Sequence, residues 1–274
     1  MNTVAHLYRS NHGPKFRAFS LREKDPAILD PFLGIDHAWM SEPTFPPHPH
    51  AGFSAVSYLF MDSETGIANR DSLGNSNYIQ PGGLHWTTAG QGIIHEEIPA
   101  ELGKTVHMLQ IFVNLPESHQ KNEPFTLSLS SDEVPVVLYE GVRIRIPLGH
   151  FYDKRSPLKP PTDVRLLDVL FEPGAELEIP IMAGENAFIL PVYGDFFIND
   201  QPHNPSHLQI PVMTANEETS VIRLKAGSNK TKVVVFAGKP LKQPVYWQGS
   251  LALASREALW EAHINFLKGR FGRL

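Results

Sequence analysis

The stretch Phe45-Pro46-Pro47-His48-Pro49-His50-Ala51-Gly52-Phe53 leads straight into Val56-Ser57-Tyr58-Leu59-Phe60-Met61, a run of β-branched, aromatic and aliphatic residues. Proline fixes φ and removes a backbone donor, so this entry is held extended and cannot be the middle of a helix. The same composition returns in HMLQIFVNL (107–115), VRIRIP (142–147), VRLLDVLF (164–171), AFILPVYGDFFI (187–198) and KVVVFAG (232–238). Turn signals such as DSLGN, EPGAE and NDQPHN bound these runs. The chain has 24 prolines among 274 residues, against a usual ~5%, and they are spread along it, breaking helices and punctuating strands. An all-β sandwich or barrel architecture follows.

One segment departs from this pattern. Ser255 stands where an N-cap would, Glu257 falls in the first turn, and Leu259, Ala262 and Phe266 recur at three- and four-residue spacing before Lys268 and Gly269. This predicts a C-terminal helix docked on a sheet. The length exceeds what one sandwich usually needs. The polar segment SHQKNEPFTLSLSSDEVP (118–135) has strand-rich stretches on both sides, and Pro-Gly turns at Pro81-Gly82 and Pro173-Gly174 echo each other. Two β-domains are expected, 1–132 and 133–274.

Composition narrows the chemistry. With no cysteine there is no disulfide, thiolate nucleophile, Fe–S cluster or Cys-type zinc site. Any metal must be held by histidine, carboxylate and water. A net charge of −5 offers no electrostatic footprint for a polyanion, so direct nucleic-acid binding is not expected. No apolar run approaches the roughly 18 residues of a membrane span. The N-terminus MNTVAHLYRS lacks the basic start and apolar core of a secretory signal, which places the protein in the cytoplasm. No GxSxG elbow, GxGxxG or P-loop occurs.

On an extended chain residues i and i+2 point to one face, so His48 and His50 can converge, about 6 to 7 Å apart along the backbone. Some forty-five residues on, Gly90-Gln91-Gly92-Ile93-Ile94-His95-Glu96-Glu97-Ile98-Pro99 repeats the spacing with His95 and Glu97. If the two segments are neighbouring strands, three imidazoles and one carboxylate meet on the inward face, and Glu96 points away as a surface residue. Three N donors and one O donor leave two cis positions free on a six-coordinate ion. That suits Fe(II), with Mn, Co, Ni or Cu also accommodated; a closed tetrahedral Zn site uses the same residues.

These motifs carry a resemblance. The runs FPPHPHAGF, NRDSLGNSNYIQPGGLHWTTAGQGIIHEEIP and HMLQIFVNLP, together with LDPFLGIDHAWM upstream and GKPLKQPVYWQG and LKGRFG near the C-terminus, resemble the pirin family of the cupin superfamily. The resemblance spans almost the whole chain. It implies a bicupin, two stacked antiparallel β-barrels of jelly-roll type. A mononuclear metal held by His48, His50, His95 and Glu97 would lie in the N-terminal barrel, and the C-terminal barrel would be metal-free. It further implies a quercetin 2,3-dioxygenase-like activity on a small aromatic substrate with O2, Glu97 acting as general base. The other role that it implies is a non-catalytic iron-binding redox sensor or co-regulator that binds a protein partner. A monomer is expected, since both barrels lie in one chain.

Three positions depart from the family pattern. Where relatives commonly read HPHRGFET this chain has Ala51 and Ser54, and His85 stands where a glutamine-like residue is expected. His85 is read as a solvated turn residue, with a donor role behind the metal ligands as the alternative. Phe53, Phe112 and Trp86 are candidates for an aromatic pocket or barrel core. His107 alternates with Leu109, Ile111 and Val113 on a face expected to look into the first barrel, as core or pocket wall. His6, His12, His37, His119 and His263 carry no expected role.

Overall fold

Two large sheets and two small ones account for most of the strands in the computed structural model, which describes residues 3–274. In the first half the strands run in the spatial order Phe125–Leu129, Leu84–Thr88, Phe53–Leu59, Val106–Asn114, Phe32–Met40, Phe16–Leu21 and Thr3–Asn11. In the second half the order is Gln209–Met213, Asn186–Tyr193, Thr231–Gly238, Val164–Phe171, Val142–Leu148 and Val136–Tyr139. Each large sheet has a four-stranded companion. His48–His50, Ile93–Pro99, Ile67–Asp71 and Ser76–Ile79 make the first; Glu176–Ile181, Ser220–Ala226, Phe196–Ile198 and Gln201–His203 make the second. All strand pairings within these sheets are antiparallel. The architecture is an all-β bicupin with one C-terminal helix.

The two large sheets also pack on each other. Val56, Tyr58, Leu109, Ile111 and Val113 from the first half share one buried cluster with Leu148, Leu166, Phe188, Val234 and Phe236 from the second. The ring of Phe32 meets Phe188 and Phe236 edge-on at 5.3 and 5.4 Å. This sandwiching explains why Phe53–Leu59 and Thr231–Gly238 are buried at every position and show no polar alternation. The interior of the second lobe is filled by its own apolar cluster, including Ile144, Leu167, Ile179, Ile189, Phe196, Ile222 and Val235. No helix among the described residues is long and apolar enough to cross a membrane.

Both ends of the described chain reach across to the other lobe. The first strand pairs through Leu7–Asn11 with its own lobe and through Thr3–His6 with Gln209–Met213, which joins the large sheets into a single thirteen-stranded one. Residues 246–274, counted from the sequence with the second unit, pack on the first. Ala51 lies under Leu251, Leu253, Leu259, Ala262 and Phe271, and Ala252 N–H donates to the Ala51 carbonyl at 3.0 Å. Small residues make this approach possible: a Cβ on Gly52, whose φ is +84°, would sit 2.0 Å from the Ala252 carbonyl oxygen. Ala51 itself is fully buried beneath this arm.

The helix forms where its sequence signals lie, Arg256–Leu267, with the Ser255 side chain accepting from the Ala258 N–H and Leu259 and Ala262 turned inward. Gly269, at φ +72°, follows the last turn.

Candidate metal centre

The strand His48–His50 pairs antiparallel with Ile93–Pro99 so that His48 lies opposite His95 and His50 opposite Ile93. Directly opposed residues share a face, and the period of two puts His50 on it as well. The three imidazoles converge. Nε2 of His95 is 3.0 Å from Nε2 of His50 and 3.1 Å from Nε2 of His48. These three are the one group of metal-binding side chains of this kind among the described residues.

The outer nitrogens define what the inner ones are. Nδ1 of His48 bonds the Pro46 carbonyl at 2.9 Å, and Nδ1 of His50 bonds the Ser250 carbonyl at 3.2 Å. A carbonyl only accepts, so each Nδ1 carries the proton and each Nε2 presents a lone pair. Burial lowers the basicity of all three rings, with help from neighbouring imidazoles at His50 and His95: His50 falls to about 3 and His95 well below its ordinary value. All are therefore neutral donors at neutral pH, the form a metal requires. Donor spacing tests the fit. Bonds of about 2.1 Å put two nitrogens ~3.0 Å apart at 90° and ~3.4 Å apart at the tetrahedral angle. The observed 3.0 and 3.1 Å are spacings at which nitrogens can share one ion.

Glu97 lines the same cavity but does not join the cluster. The sequence led us to expect four converging donors; the structure brings together three. Its carboxylate instead accepts from the Ser57 hydroxyl, with oxygens 2.7 and 2.8 Å away. Loss of hydration pushes its pKa up to about 7, and the Ser57 bond opposes that rise. Glu96 points to the other face and pairs with Arg70 at 2.8 Å.

A cavity of about 390 Å³ opens from the three imidazoles between the two sheets of the first lobe. Phe16, Ala38, Met40, Phe45, Met108 and Phe112 supply apolar walls, while Gln110 and the Arg22–Asp36 ion pair at 2.8 Å supply polar ones. At its mouth His12, Phe16 and Phe45 form an aromatic trio with centroids 5.1–5.6 Å apart, Phe45 edge-on to the other two rings. His12 carried no expected role, and its position before a Gly-Pro turn gives no sign of one.

The remaining expectations divide. Phe112 lines the cavity. Phe53 stands one layer behind, edge-on to Phe112 at 5.3 Å and to His50 at 5.1 Å, facing a separate recess with Trp247. Trp86 is buried in the core between the lobes. His107 does not reach the cavity. Met108, Gln110 and Phe112 hold the inward face of that strand, so His107 shares the opposite face with Leu109 and Ile111. There its Nε2 is 2.8 Å from Nε2 of His37 and its Nδ1 2.9 Å from Asp62, a buried pairing that also gives His37 a role the sequence did not suggest. His85 is a buried strand residue rather than a solvated turn one. It contacts Asn69, Asn77 and Ser128, and burial lowers its pKa to about 4.

The chain is similar to known proteins over most of its length. The Pirin family profile matches residues 6–113, and the profile described as the Pirin C-terminal cupin domain matches residues 166–272. Human pirin is 33% identical over 249 residues, covering 89% of this chain and 83% of that protein. The crystal structure of GK1651 from Geobacillus kaustophilus superposes with a TM-score of 0.80 at 28% identity, over 89% of this chain and 97% of that one. A structure from Acinetobacter baumannii bearing the name quercetin 2,3-dioxygenase shares the fold with a TM-score of 0.86 at 23% identity, over 99% of both chains. Two matching profiles, a relative one-third identical over nine-tenths of the chain, and three converging imidazoles agree: this chain belongs to the pirin family and is a metal-binding cupin protein.

Proposed function

We propose that the protein is a metal-dependent dioxygenase that opens flavonols such as quercetin with O2, as a cytoplasmic monomer. The observation that carries this reading is the convergence of three imidazoles, two of them with Nε2 lone pairs fixed inward, on the wall of an open, largely apolar cavity. An enzyme needs such a passage to its metal; a sensor that acts through its surface does not. The name of the Acinetobacter baumannii structure and that of an Escherichia coli pirin solved in complex with nickel(II) point the same way. His48, His50 and His95 would hold one divalent ion, Fe(II) by preference, with Mn, Co, Ni, Cu and Zn as alternatives. A bound ion would supply Lewis acidity to the 3-hydroxyl and 4-keto oxygens of the substrate.

The chain's own residues supply the rest. Glu97, with its pKa near neutrality, is suited to take the proton of the 3-hydroxyl and is our proposed fourth ligand. Phe112, Met108 and Met40 exclude water and set the plane of the substrate. Carbonyls of Pro46 and Ser250 keep two of the imidazoles in the metal-binding tautomer.

The test is the decay of quercetin absorbance under air with metal-free protein, with protein loaded with each ion, and with a His50→Ala variant. Decay confined to a loaded wild-type form is expected. Quercetin left intact with every ion would refute the dioxygenase reading and leave the partner-binding role.

A further inference from the structure

One buried hydroxyl behind the cavity wall has more acceptors than protons. Ser57 lies on the strand Phe53–Leu59 with its side chain turned to the cavity side. Its Oγ is 2.7 and 2.8 Å from the two oxygens of Glu97 and 3.1 Å from Oε1 of Gln110, its cross-strand partner on Val106–Asn114. Gln110 is oriented for this by its own Nε2, which faces the Val56 carbonyl at 3.5 Å. A serine hydroxyl donates one proton, so it serves one of these acceptors at a time. Bonding to a carboxylate is roughly twice as strong as bonding to a neutral amide, so with Glu97 ionised and free the proton rests there. That holds the carboxylate off the imidazole cluster.

We propose that Ser57 is a positioning residue that parks Glu97 away from the three histidines and releases it on metal binding by rotating its hydroxyl to Gln110. This rests on the reading of Glu97 as fourth ligand. The second acceptor is what makes release inexpensive. Without Gln110, departure of the carboxylate would leave a buried hydroxyl unsatisfied, at a cost comparable to a lost hydrogen bond. With it, only the difference between a charged and a neutral partner is lost. Metal uptake therefore works against the Ser57–Glu97 bond in the wild type, and the two ends of the relay have opposite effects when removed.

The probe is Co(II), titrated into the metal-free full chain, with affinity read by calorimetry and coordination by the visible d–d band. Ser57→Ala should bind Co(II) about tenfold more tightly than wild type, because the competing bond is gone. Ser57→Thr, which keeps the hydroxyl, should behave as wild type. Gln110→Met should bind about tenfold more weakly, because the hydroxyl has no second acceptor. A role in packing alone weakens binding in both variants, so a Ser57→Ala affinity equal to or below wild type overturns the proposal, as does an unchanged affinity in Gln110→Met. Glu97→Gln separates this failure from that of the underlying reading. If its Co(II) band and affinity match wild type, Glu97 is not a ligand and both claims fall. If they differ while Ser57→Ala does not tighten binding, only the relay is wrong.

Discussion

Replacing Gly52 by alanine tests whether the C-terminal arm orients the metal site. Gly52 follows His50 by two residues and has φ +84°, where an L side chain costs about 1–2 kcal/mol. The new Cβ would stand 2.0 Å from the Ala252 carbonyl oxygen and 2.6 Å from Cγ of Leu253. Real Cβ contacts essentially never fall below 3.0 Å, so the arm must retreat by at least about 1 Å, since backbone cannot rotate away as a side-chain tip can. That retreat strains three bonds: Ala252 N–H to the Ala51 carbonyl at 3.0 Å, Ser250 Oγ to the Pro49 carbonyl at 2.6 Å, and His50 Nδ1 to the Ser250 carbonyl at 3.2 Å. At about 1 kcal/mol for each bond lost, the total with the backbone strain comes to about 4–5 kcal/mol. For a chain of this size that lowers Tm by on the order of 10 °C. Loss of the carbonyl that fixes the His50 tautomer should weaken metal binding about 10- to 100-fold. Thermal melts followed by circular dichroism and Co(II) calorimetry on the same samples measure both. A lower Tm with an unchanged Co(II) Kd would refute the orienting role of the arm, and an unchanged Tm would refute the packing argument itself.

Further outcomes follow from the buried charges and the cavity walls. Lys232→Ala removes the cation 3.2 Å from Asp168, a carboxylate that is 3% exposed and also accepts from Tyr58 at 2.8 Å. The uncompensated charge should cost about 3–5 kcal/mol in denaturant unfolding. Burial holds His85 down to about 4 and His37 to about 3, against an ordinary 6.5. Between these values the unfolded chain takes up protons that the folded chain refuses. Stability is thus complete above pH 6.5 and falls as pH drops, by about 1.4 kcal/mol per histidine at pH 5.5; urea midpoints at pH 7.5 and 5.5 measure it. Phe45→Ala removes one ring of the trio at the cavity mouth. It should weaken flavonol binding to metal-loaded protein about fivefold, the equivalent of ~1 kcal/mol for an aromatic pair, and leave Co(II) affinity unchanged.

Much of the site was legible because it depends on the chain's local geometry. His48 and His50 stand two apart on a stretch that proline keeps extended, and the structure sets His95 directly opposite. The helix was legible for the same reason, since its cap and its inward residues lie within one segment. His107 shows where local reasoning stops. It alternates with apolar residues, but so does Met108 on the other face, because this strand is sandwiched between the cavity and the second lobe. A strand buried on both sides has no polar face to announce which way it looks.

Spacing along the backbone, the absence of cysteine and the strand and helix periods were thus determined by the sequence alone: an all-β chain whose ligands are histidines on extended segments. Tertiary structure decided which atoms complete the centre. The Ser57 hydroxyl that holds Glu97 is 40 residues away in sequence, and the Ser250 carbonyl that orients His50 is 200 away. Hydrogen bonds act within about 3 Å, so partners brought together only by sheet packing and by an arm returning from the far end of the chain leave no pattern in the order of residues.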